Sequence, residues 1–138
     1  MQYSSHIILK NMIVSFDFDG TLCWVNKKDI SIFRRNIKVF NIFKKHQEQK
    51  DTLIIVTFRN IKNETEEMKI KENRVLLLEF LDKFNLKVNN IIYTNHKPKK
   101  PYLLKNKVSI HYDDCFETIK SLEGTAIKGV LIKKKIKC

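Results

Sequence analysis

Residues 12–24 read "MIVSFDFDGTLCW", and this stretch decides the fold. Its first part, "MIVSF" at 12–16, is almost wholly apolar, which predicts a strand buried on both faces. Two carboxylates follow at once, Asp17 and Asp19, with one phenylalanine between them. Gly20 comes next, and glycine permits the tight turn that the two acids require. The chain therefore places a pair of acids at the carboxyl end of a buried strand.

Short apolar strands and helical segments alternate along the rest of the chain. Their patterns predict further strands at 52–57, 89–94, 107–112 and 129–134. They also predict helices at 30–47 (capped by Asp29), at 64–85, near 101–105 and at 115–122. Such alternation is typical of the α/β class, so we expect a Rossmann-like three-layer sandwich with a parallel sheet between helices.

The composition fits one intracellular domain. The chain has 138 residues, 43% of them hydrophobic, which suits a single domain over 1–138. No run approaches the roughly 18 apolar residues of a membrane span, and "MQYSSHIILK" lacks the layout of a signal peptide. We expect no membrane partner and a cytoplasmic location, in the host cell if the protein is viral. Reduced thiols are expected at Cys23, Cys115 and Cys138, which include no CxxC pair.

The charge balance leaves two explanations open. Lys and Arg number 27 against 15 acids, a formal net charge of +12. A surplus of this size attracts polyanions such as nucleic acid. The chain is also rich in Lys, Asn and Ile, as products of AT-rich genes are, so codon bias is an equal explanation.

Polar side chains follow the predicted strands at their carboxyl ends. Because these ends share one edge of a parallel sheet, Asp17, Thr57, Asp113 and Asp114 are expected to converge. Three converging carboxylates repel one another unless a cation lies between them. An all-oxygen site with few ligands suits Mg²⁺ and leaves room for a phosphate oxygen. The sequence thus predicts a magnesium site that receives a phosphorylated substrate.

The two acids of the opening stretch suit covalent phosphate chemistry. Asp17, ionised beside a metal, can attack phosphorus. Asp19 can protonate the leaving oxygen and then deprotonate the water that hydrolyses the aspartyl-phosphate. Thr57 can donate its hydroxyl to a phosphate oxygen, and a lysine from 97–100 can neutralise another. These residues together predict a phosphoryl-transfer site.

Four segments resemble the motifs of the haloacid dehalogenase superfamily of phosphotransferases. "DFDGTL" at 17–22 resembles the first motif almost letter for letter, and "IIVT" ending at Thr57 is similar to the second. A lysine in 97–100 would be the third, and "IHYDD" at 110–114 is similar to the acidic fourth. The resemblance spans 12–114, most of the chain.

The resemblance implies a phosphatase with an aspartyl-phosphate intermediate on Asp17. It also implies Mg²⁺ ligands from Asp17, from the backbone carbonyl of Asp19 and from Asp113, with Asp114 close by. An aspartate at position 19 points to phosphate-ester hydrolysis, because the family's transport ATPases carry threonine there. Lys99, which precedes an apolar helix as the family's lysine does, is our choice for the catalytic lysine.

Several residues are expected around this centre rather than in it. Lys97 and Lys100 are assigned to the substrate-binding rim, although Lys97 before a proline fits another variant of the third motif. Backbone donors are expected near Gly20 and Phe58. Arg59 either holds a phosphate bidentately or lies on the surface. Structural or exposed positions are expected for His96 and His111.

The short connections predict a core without a cap domain. An open site of this kind suits a large substrate that covers it, and it resembles the 3'-phosphatase half of phage-type polynucleotide kinase/phosphatases. We therefore expect DNA or RNA 3'-phosphate ends as substrates. The alternative is a phosphatase on a nucleotide or sugar phosphate with a lid from an oligomeric neighbour, and the oligomeric state stays open. A non-catalytic binding module is disfavoured because a binder has no need of Asp19.

Overall fold

The computed structural model describes residues 12–25, 33–60 and 67–133. In these ranges the strands are β1 (Ile13–Phe16), β2 (Cys23–Val25), β3 (Phe33–Arg35), β4 (Thr52–Thr57), β5 (Asn90–Tyr93), β6 (Ile110–Asp113) and β7 (Lys128–Leu131). The helices are α1 (Ile37–Glu48), α2 (Glu67–Lys83), α3 (Lys100–Lys105) and α4 (Phe116–Ser121).

Five of the strands form one parallel sheet in the order β5-β4-β1-β6-β7, which confirms the predicted α/β architecture. The chain runs outward from β1 through β4 to β5 and then returns to place β6 on the other side of β1. The strand order therefore reverses beside β1. In open α/β sheets, ligands bind at the carboxyl ends of the strands at such a reversal.

Side chains of the sheet alternate between two cores, one on each face. Val14 and Phe16 of β1 belong to a cluster with Phe43 of α1 and Leu77 of α2. A second cluster on the opposite face joins strand residues such as Val56 to the short helices. Helices therefore cover both faces of the sheet, as the apolar strand sequences require.

The predicted helix at 30–47 is wrong in its first part. Residues 33–35 form β3, which pairs antiparallel with β2, and α1 begins only at Ile37. The buried positions of α1 are Val39 and Phe43, whereas Ile37, the first residue of the helix, is 61% exposed. Asp29, the expected cap, lies outside the described residues.

The strand predicted at 107–112 is displaced to 110–113. Lys107 has a φ of 55°, a left-handed conformation that interrupts a strand. The N–H of Val108 donates to the carbonyl of Leu103, so residues 106–108 close the end of α3 instead. The last strand, predicted at 129–134, is found at 128–131, and residue 134 lies outside the described residues. Other described boundaries agree within the uncertainty usual for element ends.

The described residues contain no cap domain between β1 and α1 or between β4 and α3. Between β1 and α1 they form only the two-stranded ribbon of β2 and β3, and between β4 and α3 only α2 and β5. The undescribed gaps there are 26–32 and 61–66. A single domain over 1–138 stays a prediction. No helix in the described part of the chain is long and apolar enough to span a membrane.

Candidate active site

Asp17 is the buried acid at the centre of the site. It directly follows β1, and its N–H donates to the carbonyl of Tyr112 at 2.9 Å, which keeps the chain aligned with β6. Its Oδ2 accepts a hydrogen bond from the Thr21 hydroxyl at 2.9 Å, and its Oδ1 accepts one from Lys99 Nζ at 2.8 Å. Both carboxylate oxygens are therefore fixed in direction.

Lys99 is the lysine that the structure brings to the acids. Its ammonium group is buried and also donates to Asp113 Oδ2 at 2.8 Å, so it bridges the acids that follow β1 and β6. The same nitrogen lies 4.5 Å from the ring centre of Phe58, a cation–π distance. Lys97 is exposed and Lys100 is half-buried, and neither is bonded to the acids.

The loop after β5 carries Lys99 into the site through two left-handed residues. Asn95 and His96 have φ values of 54° and 67°. The His96 N–H donates to the Phe58 carbonyl at 2.8 Å, which ties this loop to the residues that follow β4. Asparagine and histidine adopt positive φ more readily than most other non-glycine residues, so the sequence suits the turn that places Lys99 at the acids.

A buried chain of hydrogen bonds through His111 and Ser15 orients the carboxylate of Asp113. His111 Nε2 lies 2.8 Å from Asp113 Oδ2, and its Nδ1 lies 2.6 Å from Ser15 Oγ. Burial lowers the pKa of His111, which favours a neutral ring. In the neutral ring, Nε2–H donates to the carboxylate and Nδ1 accepts from the Ser15 hydroxyl. The other oxygen of Asp113 accepts from the N–H of Cys115 at 3.0 Å.

Asp114 closes over the turn at Gly20. Gly20 has a φ of 81°, and a Cβ placed there would meet Asp114 Oδ2 and lie 2.9 Å from Asp114 Cγ. Only glycine combines this backbone conformation with so close an approach. The turn thus brings the carboxylate of Asp114 beside the segment that carries the acids of β1.

Three carboxylates form a donor set that fits a divalent cation. Asp17, Asp113 and Asp114 each offer an oxygen, and these three oxygens lie within 4.8 Å of one another. All the donors are hard oxygens, which suit Mg²⁺ better than a soft metal. Lys99 supplies only one positive charge to these three acids, so a further cation would be electrostatically favourable there.

Burial and charge act differently on the members of this cluster. Burial raises the pKa of Asp17 well above its ordinary value, and Lys99 opposes that rise. Burial also acts to raise the pKa of Asp113, but the His111 hydrogen bond and the Lys99 charge outweigh it and lower the pKa to about 2. For Lys99, burial acts to lower the pKa, but the charges of both acids outweigh it and raise the pKa. Lys99 is therefore charged at neutral pH.

Asp19 is held by Arg59 in a bidentate ion pair. Arg59 Nε and Nη2 donate to the two carboxylate oxygens at 2.9 and 2.7 Å. Arg59 Nη1 donates to Asn73 Oδ1 at 2.7 Å, and Asn73 Nδ2 donates to the carbonyl of Asn60 at 2.8 Å. Burial acts to lower the pKa of Arg59, but Asp19 outweighs it. Asp19 is thus connected through Arg59 to helix α2.

Thr57 lies at the end of β4, beside the central strand. Its side chain is buried, and its Oγ1 accepts a hydrogen bond from the Arg59 N–H at 3.2 Å. A hydroxyl that accepts in this way keeps its own hydrogen for another acceptor. Thr57 can therefore donate to a bound anion without losing its backbone contact.

The basic segment at 97–107 divides between the two ends of α3. Lys97 and Lys100 lie near the start of the helix, on the same side as Lys99. Lys105 ends the helix and Lys107 lies just before β6, at the amino-terminal edge of the sheet. Lys105 and Lys107 therefore lie away from the site, because α3 runs away from it.

Several side chains of the site were missed or given no role by sequence reasoning. Ser15 and Thr21 were not singled out, although a serine inside the apolar run of β1 is itself a signal of a buried hydrogen bond. His111 was expected to be structural or exposed, and it is buried against Asp113. Asn73 carried no signal, because helical periodicity does not show which distant loop a residue contacts.

The chain has a haloacid dehalogenase-like fold, with an acidic triad at the strand ends. No family model matches the chain, and no curated protein matches it either.

The fold assignment rests on solved structures. A chain of the "Pnkp1/Rnl/Hen1 complex" superposes with a TM-score of 0.71 at 18% identity, covering 89% of this chain and 46% of that chain. A chain of the "Pnkp1/Rnl/Hen1 RNA repair complex" gives 0.71 at 19% identity, covering 91% and 43%. D,D-heptose 1.7-bisphosphate phosphatase from B. bronchiseptica, complexed with magnesium and phosphate, gives 0.63 at 9% identity, covering 87% and 79%. The chain therefore spans less than half the length of the two complex components.

Proposed function

We propose that this chain is a Mg²⁺-dependent phosphomonoester hydrolase that works through an aspartyl-phosphate on Asp17. The observation that carries the proposal is the buried Asp17 carboxylate, which shares Lys99 with Asp113 and lies beside Asp114. Buried carboxylates are costly unless positive charge balances them, and a bound cation would add to the charge of Lys99. A metal with a phosphoryl group bound to it meets that requirement.

The chemistry follows from two acids with different surroundings. The first step needs Asp19 in its protonated form. An oxygen of Asp17 bonds to phosphorus, the bond from phosphorus to the ester oxygen breaks, and the protonated Asp19 gives its proton to that oxygen. In the second step Asp19 takes a proton from water, the water oxygen bonds to phosphorus, and the bond to Asp17 breaks. Lys99 and the Thr57 hydroxyl stabilise the charge on the phosphoryl oxygens.

The carboxylates of Asp17, Asp113 and Asp114 would hold Mg²⁺, with the backbone carbonyl of Asp19 as the ligand implied by the family resemblance. When bound, the ion neutralises charge on the phosphoryl oxygens. His111 supports this set from outside, because its hydrogen bond fixes the direction of the Asp113 carboxylate.

The experiment that tests this function is phosphate release from a small aryl phosphate. We expect release with Mg²⁺, none in chelator, and poor release with Ca²⁺, which prefers longer bonds and more ligands. Full activity in chelator would contradict the proposal. Mg²⁺ is also expected to raise the unfolding temperature, because it binds the folded acids alone.

Arg59 acts on Asp19 as a positioning residue. A carboxylate oxygen has two lone pairs, so the two bonds from Arg59 leave one on each oxygen for proton transfer. The planar guanidinium fixes the plane of the carboxylate, and Asn73 in turn fixes the guanidinium. Contact between Arg59 and the substrate phosphate, expected from the sequence, stays a prediction.

Asn73→Ala tests this arrangement without touching the acids. Loss of a hydrogen bond to a charged group, worth about 1.5–3 kcal/mol, should lower kcat roughly 10- to 150-fold with little change in KM. The decrease in kcat should come from the proton-transfer steps that need Asp19. The dependence of kcat on pH should therefore change as well. Asn41→Ala, an exposed asparagine on α1, is the matched control. Equal kcat values for both variants would contradict the role.

Nucleic-acid 3'-phosphate ends are the substrates we propose. The net charge of +12 and the lysines beside the site support this choice. The chain also shares its fold with components of an RNA repair complex, at 18% and 19% identity, and this likeness in fold is consistent with the choice. The likeness to a heptose bisphosphate phosphatase favours the alternative, a small phosphorylated metabolite with a lid from a neighbouring molecule.

Salt dependence separates the two substrate classes. A bound single strand releases counterions, so log KM should rise with log salt by roughly 0.7 for each phosphate contacted. A small aryl phosphate should give a shallow slope. The variant Lys97→Gln/Lys100→Gln should flatten the oligonucleotide slope, whereas Lys105→Gln/Lys107→Gln removes the same charge from the far end of α3 and should not. Equal slopes of log KM against log salt for the oligonucleotide and the aryl phosphate would favour a small phosphorylated metabolite as the substrate.

A further inference from the structure

The ribbon of β2 and β3 has two faces with different surroundings. In its antiparallel register Cys23 lies opposite Arg35, and Trp24 lies opposite Arg34. Residues opposite one another in such a pair share a face, and neighbours along a strand alternate between faces. Cys23 is fully buried, and the Arg35 guanidinium lies over two aromatic rings of the helical layer. The Cys23–Arg35 face is therefore the packed one.

The opposite face presents an aromatic ring and a cation. Trp24 is half-buried and Arg34 is exposed. Neither side chain makes a hydrogen bond, an ion pair or a ring contact with the described residues. A tryptophan and an arginine side by side, without partners among the described residues, form the pair of groups that single-stranded nucleic acid binds: a stacking surface and a phosphate contact.

The ribbon lies directly beside the proposed acid/base. Asp19 forms a bridge with Cys23, and the Gly20 N–H donates to the Cys23 carbonyl at 2.9 Å. Bridged backbones lie about 4.8 Å apart, and consecutive Cα atoms about 3.8 Å, so the Cα of Trp24 lies within about 9 Å of that of Asp19. A nucleotide whose phosphate is at Asp17 could extend its base to this ring.

We propose that the Trp24–Arg34 face binds the terminal part of a single-stranded polynucleotide, with a base stacked on Trp24 and a backbone phosphate paired with Arg34. This inference rests on the proposed function and names the surface that would serve it. Stacking accepts any base, so recognition should tolerate sequence. It would also give the open site its preference for a chain end over a free sugar phosphate.

Trp24 is the only tryptophan in the chain, so its own fluorescence reports the contact. We would titrate the intact protein with a short single-stranded oligonucleotide ending in a 3'-hydroxyl, which binds without turnover, and follow binding in parallel by anisotropy of a labelled oligonucleotide. We expect saturable quenching with the same Kd as the anisotropy. Binding without any change in tryptophan fluorescence would overturn the proposal, as would no binding.

Variants separate stacking from charge. Trp24→Leu should weaken oligonucleotide binding about 5- to 100-fold, and Trp24→Phe should recover most of it, because a phenyl ring still stacks. Arg34→Gln should lower the salt slope, whereas Lys105→Gln should not. Aryl phosphate hydrolysis by Trp24→Leu should match the wild type, which also shows that the variant folds. If Trp24→Leu bound the oligonucleotide as tightly as the wild type does, the proposed binding surface would be wrong and the phosphatase proposal would stand. If the oligonucleotide quenched Trp24 fluorescence but the wild-type protein hydrolysed no phosphate ester, the phosphatase proposal would be wrong and the binding surface would stand.

Discussion

Asp17→Asn is expected to lower phosphate release by roughly four orders of magnitude or more, the size of loss seen when an enzyme's nucleophile is removed. Asparagine keeps the shape of the side chain but cannot attack phosphorus as a carboxylate does. The fold should persist, because Lys99 keeps its bond to Asp113 and the exchanged group is a buried carboxylate in an acid cluster. The measurement is kcat for an aryl phosphate beside a denaturant unfolding curve.

Asp51→Asn is the matched control for that loss. Asp51 is another buried aspartate, but it precedes β4 at the amino edge of the sheet and bonds to His46 at 2.8 Å. Its replacement should reduce stability and leave kcat close to the wild-type value. If Asp17→Asn kept activity comparable to Asp51→Asn, a residue other than Asp17 would have to be the nucleophile.

Lys99→Met is expected to have the second large effect, on both activity and stability. Methionine fills a similar volume without charge, so Asp17 and Asp113 would face each other with no cation between them. Removal of one partner of a buried ion pair costs about 3–5 kcal/mol. We therefore expect a large loss of stability in chelator, and a loss of turnover because the phosphoryl oxygens lose their cation.

Magnesium should restore much of the stability lost in Lys99→Met, because a divalent ion would take over the neutralisation of the acids. Denaturant unfolding with and without Mg²⁺ measures this, and the shift should exceed that of the wild type. Lys105→Met, an exposed lysine at the end of the same helix, should unfold as the wild type does under both conditions. An unchanged unfolding curve for Lys99→Met in chelator would mean that Lys99 does not hold the acids.

Much of the site could be anticipated because a parallel sheet brings its strand ends to one edge. Asp17, Asp113 and Asp114 each follow an apolar strand, so their convergence required only that the sheet be parallel. Gly20 was expected to make a tight turn, and its positive φ and its contact with Asp114 agree. The pattern of apolar strands therefore predicts at which edge of the sheet a given residue lies.

Directions of side chains could not be anticipated in the same way. Nothing in the sequence indicates that Arg59 turns to Asp19 and Asn73, because both lie far from it along the chain. Lys99 was chosen from a segment with three lysines only by its likeness to the family's lysine, and no local pattern shows that its ammonium group turns toward Asp17 and Asp113. The ribbon of β2 and β3 was missed because strands of three residues are too short to show alternation.

The central claim is that Asp17 carries the phosphoryl group during turnover. The most direct test is to mix the Asp19→Asn variant with an aryl phosphate and Mg²⁺, stop the reaction in acid, and map the modified residue by mass spectrometry. Without its base the second step slows, so a phosphoryl group should accumulate on Asp17 and should be absent from Asp17→Asn/Asp19→Asn. Phosphate release at the wild-type rate, or a phosphoryl group on any other residue, would contradict the account.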